Sequence, residues 1–492
     1  MMKSIHISDK DNVSVALTDL LKGERVEDVV LKEDIKRGHK FCVRPIKSGE
    51  KVIKYGNVIG TATSDISLGE HVHVHNMKTD LSGQLKYAYK PVIVENLKNA
   101  DDKKIKAYRR KNGKIGIRNE LWVVPTVGCV NAQAKEIANL FNLKYRANDF
   151  FDGAVAFTHP YGCSQVGADH ERTKRILQQI VKHPNAGGVL VLGLGCENNR
   201  MDAFIETLGD FDEKRVEFLI AQQVNDEIDE GFKRLEKLYR RLENDRREDA
   251  FLSEIKIGLK CGGSDGLSGI TANPLLGRLS DYMAAVNGTT VLTEVPEMFG
   301  AETLLMSRAK DEKVYSDIVK LINDFKAYYE KNGQPCYENP SPGNKQGGIT
   351  TLEDKSLGCT QKSGYSTVCG VVFDGENIET NGLNLLNGPG NDMVACTNLA
   401  AAGCQIILFT TGRGTPFGGI VPTIKISTNT ELFDFKRNWI DFNAGDLTEG
   451  ATFGEKLDEL IGLICDVSDG KKTKNEINNT REIAIFKTGV TL

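Results

Sequence analysis

GVLVLGLGC (188–196) closes a short apolar run with a glycine–cysteine turn. Three other runs have the same form: VVPTVGC (123–129), AVAFTHPYGC (154–163) and IKIGLKCGG (255–263). All four read as buried strands, and helix-like sequence follows each. Strands alternating with helices imply a parallel sheet, and such sheets bind ligands at the carboxyl ends of their strands. Cys129, Cys163, Cys196 and Cys261 are therefore expected to converge on one face. A fifth glycine–cysteine pair ends LEDKSLGC (352–359), at Cys359.

Working outward, a chain of 492 residues exceeds one ordinary core, so two to four domains are expected. Its 40% hydrophobic and 26% charged content is that of a soluble globular protein. A net charge of −4 gives no reason to expect nucleic acid or an anionic membrane as partner. MMKSIHISDK at the start carries no apolar signal core, and no run approaches the ~18 apolar residues of a membrane helix. A cytoplasmic location is expected. The eleven cysteines are odd in number and widely scattered, which fits thiols in a reducing compartment better than a disulfide framework.

The fold class expected is multidomain α/β: a small N-terminal all-β module, then an α/β catalytic region with mostly parallel sheets. Residues 1–95 alternate short β-branched runs with glycine turns, with one short helix expected at 13–21. Residues 96–107 are polar and charged and read as a linker. An α/β domain is expected over 108–335 and a second over 336–492. Strands are expected at 121–127, 153–158, 188–194, 215–221, 254–260, 289–294, 367–373, 405–410 and 422–426. Helices are expected at 131–141, 169–182, 225–244, 271–286, 303–330, 391–402, 429–437 and 453–467. QPCYENPSPGNKQGGIT (334–350) reads as a long functional loop or domain joint.

Several motifs could carry chemistry. In HVHVHN (71–76), a strand would project His71, His73 and His75 from one face. Neutral imidazole is the commonest metal ligand near neutral pH. Neighbours two apart on one strand lie roughly 6–7 Å apart, so a second element must complete a metal site. His39, in the glycine turn of RGHK, is the natural one. Cys163 and Cys196 stand beside His159, Tyr161 and Glu197, although no pair has C-x₂-C spacing. KCGGSDGLSGITANP (260–274) joins a strand to a helix through a polar turn suited to anions, but lacks the phosphate-loop spacing. Glu294, Glu297 and Glu302 follow a strand and could bind a cation or act as base. Lys345 in SPGNKQGG and Arg413 in TTGRGTPFGG offer a base and a carboxylate grip.

These segments, with DNVSVAL, RGHKF, VIKYGNVIG, IGIRNELWVVPTVGCVN, HPYGCSQVGADH, TEVPEMFGAE, NPSPGNKQGGITTLEDKSLGCTQKSG and FKTGVTL, closely resemble the altronate/galactarate dehydratase family over essentially the whole chain. HVHVHN, TVGCVN and SLGCTQKSG look more like its altronate branch. The resemblance implies an N-terminal β-clip module of the SAF type before an α/β catalytic region. It implies loss of water from D-altronate to give 2-dehydro-3-deoxy-D-gluconate in hexuronate catabolism. It also implies a divalent metal, with iron(II) the usual assignment and manganese(II) the alternative. Relatives often carry His where this chain has Ser8, which has no imidazole to offer a metal.

Dehydration removes the C2 proton of the sugar acid and expels the C3 hydroxyl. On this reading the metal lies among His39, His71 and His73, with Cys163 and Cys196 nearby. Lys345 or His39 is the base, and Tyr161 or His159 protonates the leaving hydroxyl. Arg413 and Arg118 hold the carboxylate and hydroxyls, helped by Asn119, Ser264 and Asp265. Competing readings are a galactarate-type dehydratase, an Fe–S lyase with a cluster on Cys129, Cys163, Cys196 and Cys261, and a non-catalytic sugar-acid binding protein. A small-molecule sugar acid as partner and a homo-oligomer, a dimer, complete the expectations.

Overall fold

The computed structural model describes residues 2–94 and 100–492. The N-terminal module is built from very short strands: β1 (Ser4–Ile5), β2 (Val13–Ala16), β3 (Arg25–Val26), β4 (Val29–Val30), β5 (Lys40–Cys42), β6 (Lys51–Lys54), β7 (Asn57–Ala62), β8 (His71–Val72) and β9 (Met77–Lys78). They form an antiparallel sheet β1-β2-β5-β8, a second sheet β6-β7-β9 and the hairpin β3-β4. The helix expected at 13–21 is instead strand β2. Val13 and Val15 are β-branched, and the strand is wholly buried between neighbours on both sides, so tertiary context overrides local preference.

Of the linker expected at 96–107, residues 96–99 lie outside the described residues, and its last part is already sheet. β10 (Lys104–Arg109) pairs with β11 (Ile115–Gly116) and, from far along the chain, with β16 (Glu248–Phe251). The middle region is a four-stranded parallel sheet of β12 (Glu120–Pro125), β13 (Ala154–Ala156), β14 (Ala186–Gly193) and β15 (Val216–Ile220), in the order β13-β12-β14-β15. One face packs on helices Asn131–Lys144 and Glu227–Leu242 through Ile137, Phe141, Leu235 and Leu238. Helix Glu227–Leu242 starts on the Asp226 carboxylate, which accepts from the Ile228 and Asp229 amides.

The largest sheet has seven parallel strands: β17 (Lys256–Cys261), β18 (Thr289–Leu292), β19 (Val368–Val372), β20 (Gly382–Leu386), β21 (Ile406–Thr411), β22 (Thr423–Ser427) and β23 (Phe442–Asn443). Their order is β19-β20-β18-β17-β21-β22-β23. A division at 335/336 would cut through this one sheet, since β18 pairs with β20 across it and β17 with β21. The hydrophobic core crosses the same point, joining Leu275, Leu279 and Ile318 to Leu383, Leu408 and Ile464. Sequence proximity is a poor guide here because a doubly wound sheet places its first strands in its middle.

That strand order puts a topological switch point between β17 and β21. The chain leaves β17 toward β18 on one side and later returns to β21 on the other, so the loops after the two strands part and leave a crevice. Two further departures are local. The expected helix 303–330 is two helices, Glu302–Met306 and Glu312–Lys331, the second starting on the Asp311 side chain. Leu352–Thr360 is a helix, capped by the Thr351 hydroxyl and buried along its whole length.

Candidate functional site

The N-terminal module docks its β5 edge onto the mouth of the switch-point crevice. Gly38 has φ +82°, and a Cβ there would lie 2.9 Å from the Gly347 carbonyl. Opposite it, a Cβ on Gly266 would lie 1.9 Å from the Gly38 carbonyl oxygen. Backbone meets backbone here because no side chain intervenes. Behind this contact, Lys40 from β5 and Lys54 from β6 both grip Asp354 of the buried helix, at 2.8 and 3.0 Å. The Lys40 ammonium also donates to the Gly348 carbonyl and the Thr350 hydroxyl, both at 2.8 Å. All three charged groups are fully buried, so each would be costly alone. Burial pulls Lys40 down to about 8 despite Asp354 beside it. Burial would raise the Asp354 carboxyl, but the two lysines outweigh it and hold it well below the usual carboxylate range.

The docking brings three imidazoles together. Ring centroids of His39, His71 and His73 lie 5.1, 5.1 and 5.4 Å apart, and one nitrogen from each falls within 4.8 Å of the others. His39 Nδ1 is 2.9 Å from His71 Nε2, and His39 Nε2 is 3.1 Å from the Gln346 carbonyl. His73 Nδ1 is 2.9 Å from the Thr350 hydroxyl. Burial, helped by the neighbouring positive and imidazole groups, pushes both His71 and His73 down to about 3; burial also lowers His39. The three rings are therefore neutral near pH 7 and keep lone pairs for a cation. A divalent metal fits this donor set. His75 departs from the expected row: the strand ends at Val72 and the chain turns, leaving His75 exposed.

Around these rings lie several other expected residues. Lys345 sits in the short helix Pro342–Gln346, which begins on the Ser341 hydroxyl. Among the described residues no hydrogen bond or ion pair engages its ammonium. Arg413, exposed on the loop after β21, donates to the Gln346 side chain at 2.9 Å. Ser264 follows β17, and its carbonyl accepts from Asn344 at 2.8 Å. Asp265 is fully committed: Thr428 donates to both its oxygens at 3.0 and 2.9 Å, and Ser268 donates at 3.0 Å. Asp265 thus locks the loop after β17 to that after β22 instead of facing a ligand.

Other expected residues lie elsewhere. Arg118 and Asn119 immediately precede β12, at the amino end of the four-stranded sheet, so they cannot join a site built at carboxyl ends. Arg118 is fully buried in a two-pronged ion pair with Glu476 (2.7 and 3.0 Å) and donates to the Val467 and Lys471 carbonyls. Asn119 bridges Arg110, Phe150 and Asp245. His159 is buried with both nitrogens engaged, Nε2 by the Pro125 carbonyl and Nδ1 by the Tyr161 amide, so it holds a loop and has no proton to trade. Tyr161 stands on that loop of the middle region, as do Cys163 and, after β14, Cys196. None of these joins the imidazole group. Ser8 is a turn residue whose amide donates to Asp11.

The five cysteines divide. Cys261, at the end of β17, faces Cys359 of the buried helix, Sγ to Sγ 3.4 Å, and each lies 3.1 Å from Glu297 Oε2. Lys362 is 2.9 Å from the Cys261 sulfur, and Lys355 pairs with Glu297 at 2.7 Å. Glu294 lies beside them, paired with Lys260. The hydrogen bond from Cys359, with nearby lysine charge, holds the Cys261 thiol down to about 6 against burial. Cys261 therefore cannot complete a four-thiol cluster with Cys129, Cys163 and Cys196. Glu302, the third acid of that run, pairs instead with Lys326 and Tyr87. Sequence reading missed Lys40, Asp354, Thr350, Lys355 and Lys362. The available signal was lysine inside otherwise buried runs, as in IGLKCGG and LEDKSLGC.

A small β module whose imidazoles cap the switch point of a seven-stranded parallel sheet defines a multidomain α/β enzyme with an N-terminal SAF module. Three family models cover the chain: the altronate/galactarate dehydratase SAF domain over residues 2–80, the D-galactarate dehydratase/altronate hydrolase second domain over 107–243, and the D-galactarate/altronate dehydratase C-terminal domain over 252–491. Altronate dehydratases of Escherichia coli (strain K12) and Bacillus subtilis (strain 168) are each 56% identical to it, covering 100% of both chains. The L-threo-forming galactarate dehydratase of Escherichia coli (strain K12) is 32% identical over 95% of this chain and 93% of its own. The chain belongs to the D-galactarate/altronate dehydratase family.

Proposed function

We propose that this chain is a hydro-lyase that removes water from D-altronate to give 2-dehydro-3-deoxy-D-gluconate. The observation that carries this reading is full-length 56% identity to two altronate dehydratases, against 32% to the galactarate enzyme, together with the imidazole group at the switch-point crevice. His39, His71 and His73 would hold a divalent metal, iron(II) or manganese(II). When bound there, such an ion supplies Lewis acidity toward the carboxylate and 2-hydroxyl of a sugar acid.

With His39 assigned to the metal and its Nε2 at the Gln346 carbonyl, Lys345 is left as the base for the C2 proton. Arg413 stands beside it on the Gln346 side chain and can grip the carboxylate. The ammonium formed on Lys345 carries the proton that the departing C3 hydroxyl needs. One group thus serves both ends of the elimination, and the enol product tautomerises to the 2-keto acid. The buried Lys40–Asp354–Lys54 set positions the imidazoles without touching substrate. All eleven cysteines are free thiols, which supports a reducing compartment such as the cytoplasm, and the reaction assigned here would place the chain in hexuronate catabolism. An anaerobic screen of hexonates and hexarates with ferrous or manganous ion, read as 2-keto-3-deoxy acid, tests the assignment. Rapid turnover of galactarate with none of D-altronate would refute it.

A further inference from the structure

The loops that follow β13, β12 and β14, three adjacent strands of the four-stranded sheet, each present a cysteine at its carboxyl edge: Cys163, Cys129 and Cys196. All three thiols are exposed, whereas Cys261, at the end of β17, and Cys359, Cys396 and Cys404 are buried. The cysteine loops are tied to one another. The Gly128 amide donates to the Tyr161 carbonyl at 2.8 Å, the Asn199 amide to the Gly162 carbonyl at 2.9 Å, and the Ser164 amide to the Asn198 side chain at 3.1 Å. A Cβ on Gly162 would lie 2.0 Å from the Thr126 carbonyl oxygen, so that loop is pressed against the backbone leading to Cys129. Glu197 fixes the turn after β14 by accepting from Thr126, Leu194 and Gly195, so its carboxylate is spent on the scaffold.

Two further features mark the place. Ser164, beside Cys163, holds φ +60°, a left-handed conformation that costs a non-glycine residue energy. Gln165 is 2% exposed, and its carbonyl oxygen accepts from the Gly162 amide at 3.3 Å, yet among the described residues its Nε2 has no acceptor. The Asn199 Oδ1 is likewise buried and unpartnered. The three loops leave neighbouring strands, which lie ~4.8 Å apart, and are hydrogen-bonded to one another, so a single cluster held by all three thiols is a reachable arrangement. Inorganic sulfide is an acceptor that an orphaned amide N–H can serve, and such hydrogen bonds tune these clusters.

We propose that Cys129, Cys163 and Cys196 bind an iron–sulfur cluster of the four-iron type, ligated by three thiolates with one iron left free of protein sulfur. The site is separate from the imidazole group and independent of the reaction assigned above. Three thiols lose their protons on binding, and no oxidation of protein is needed when ferrous, ferric and sulfide ions are all supplied. The test is anaerobic reconstitution of the full chain with iron and sulfide, followed by desalting. Broad visible absorption is expected, with about four iron and about four acid-labile sulfide per chain. Cys129→Ser, Cys163→Ser and Cys196→Ser should each lose most of that colour, while Cys261→Ser and His71→Ala retain it. Because the three thiols are exposed, the variants should keep the parent circular dichroism spectrum and melting temperature. Absence of labile sulfide in the reconstituted parent, or its persistence in the triple Ser variant, would overturn the proposal.

Discussion

At the scale of single residues, three side chains carry separable roles. Lys345 has no partner to lose among the described residues, so Lys345→Met should leave folding intact and lower kcat by ~100-fold or more with little change in substrate affinity. A KM-against-kcat comparison checks this. His71 is expected to act on the metal: His71→Ala should weaken manganous-ion binding, measured by calorimetry, by at least about tenfold. Arg118 and Glu476 belong to stability instead. Burial would raise the Glu476 carboxyl, yet Arg118 outweighs it and holds it at about 2, below its ordinary 4.5. A depressed carboxyl contributes stability above its unfolded value and loses it as pH falls toward its folded one. At ~1.4 kcal/mol per pH unit the pair's loss approaches about 3 kcal/mol across that window. The melting temperature should therefore drop between about pH 5 and about pH 2, and Glu476→Gln should flatten that drop while lowering stability above it. The histidines were legible in the sequence because their alternation is local and their number small. The structural duty of Arg118 was not, since its partner lies hundreds of residues away and an arginine beside a strand reads alike in both roles.

At the scale of elements, the decisive contact is the turn Gly38–His39 against the loops at Gly266 and Gly347–Gly348. No helix or strand propensity announces it. A Cβ on Gly266 would meet backbone oxygen at 1.9 Å, which nothing flexible can relieve. Gly266→Ala should push the β5 edge outward, costing about 1–3 kcal/mol, and should weaken metal binding while leaving the middle region unaltered. Calorimetry for the metal and hydrogen exchange at β5 and β12 would report the two effects separately. The four glycine–cysteine strands were readable because each pairs an apolar run with a turn that ends it. The same signal assigned no element to Leu352–Thr360. It ends in glycine and cysteine too, but its Thr351 cap and full burial make it a helix. Its periodicity is invisible because polar side chains such as Asp354, Lys355 and Ser356 are buried with the rest. That helix is also what links the two clusters of chemistry: Asp354 anchors the imidazole-bearing module, and Cys359, about one turn later, faces Cys261.

At the scale of the whole molecule, the N-terminal module was legible as a separate unit, but the division beyond it was not, because β17 pairs with β21 and β18 with β20, both far later in the chain and beyond the 335/336 division. The module and the sheet region share one buried electrostatic knot. Lys40 and Lys54 meet Asp354, Thr351 donates to the Ile59 carbonyl, and Thr79 and Asp80 bind Glu353. The segment that follows runs on across the sheet region through Gln84–Glu330, Tyr87–Glu302, Tyr89–Ala309 and Val92–Ser307 contacts. Buried charges on both partners make separation costly, since each half would be left with uncompensated charge or its solvation. Docking should therefore survive loss of the covalent connection. Co-expression of residues 1–94 with residues 100–492 as two chains should give a 1:1 complex through gel filtration, and the complex should retain dehydratase activity. Asp354→Asn should tip the balance the other way. It removes the negative charge while leaving Lys40 and Lys54 buried, a change worth about 3–5 kcal/mol. In the split pair it should release the small chain and abolish turnover; in the intact chain, where the effective concentration stays high, activity should fall without vanishing. If the Asn variant of the split pair stayed associated and active, the knot around Asp354 would not be what holds the imidazoles over the crevice.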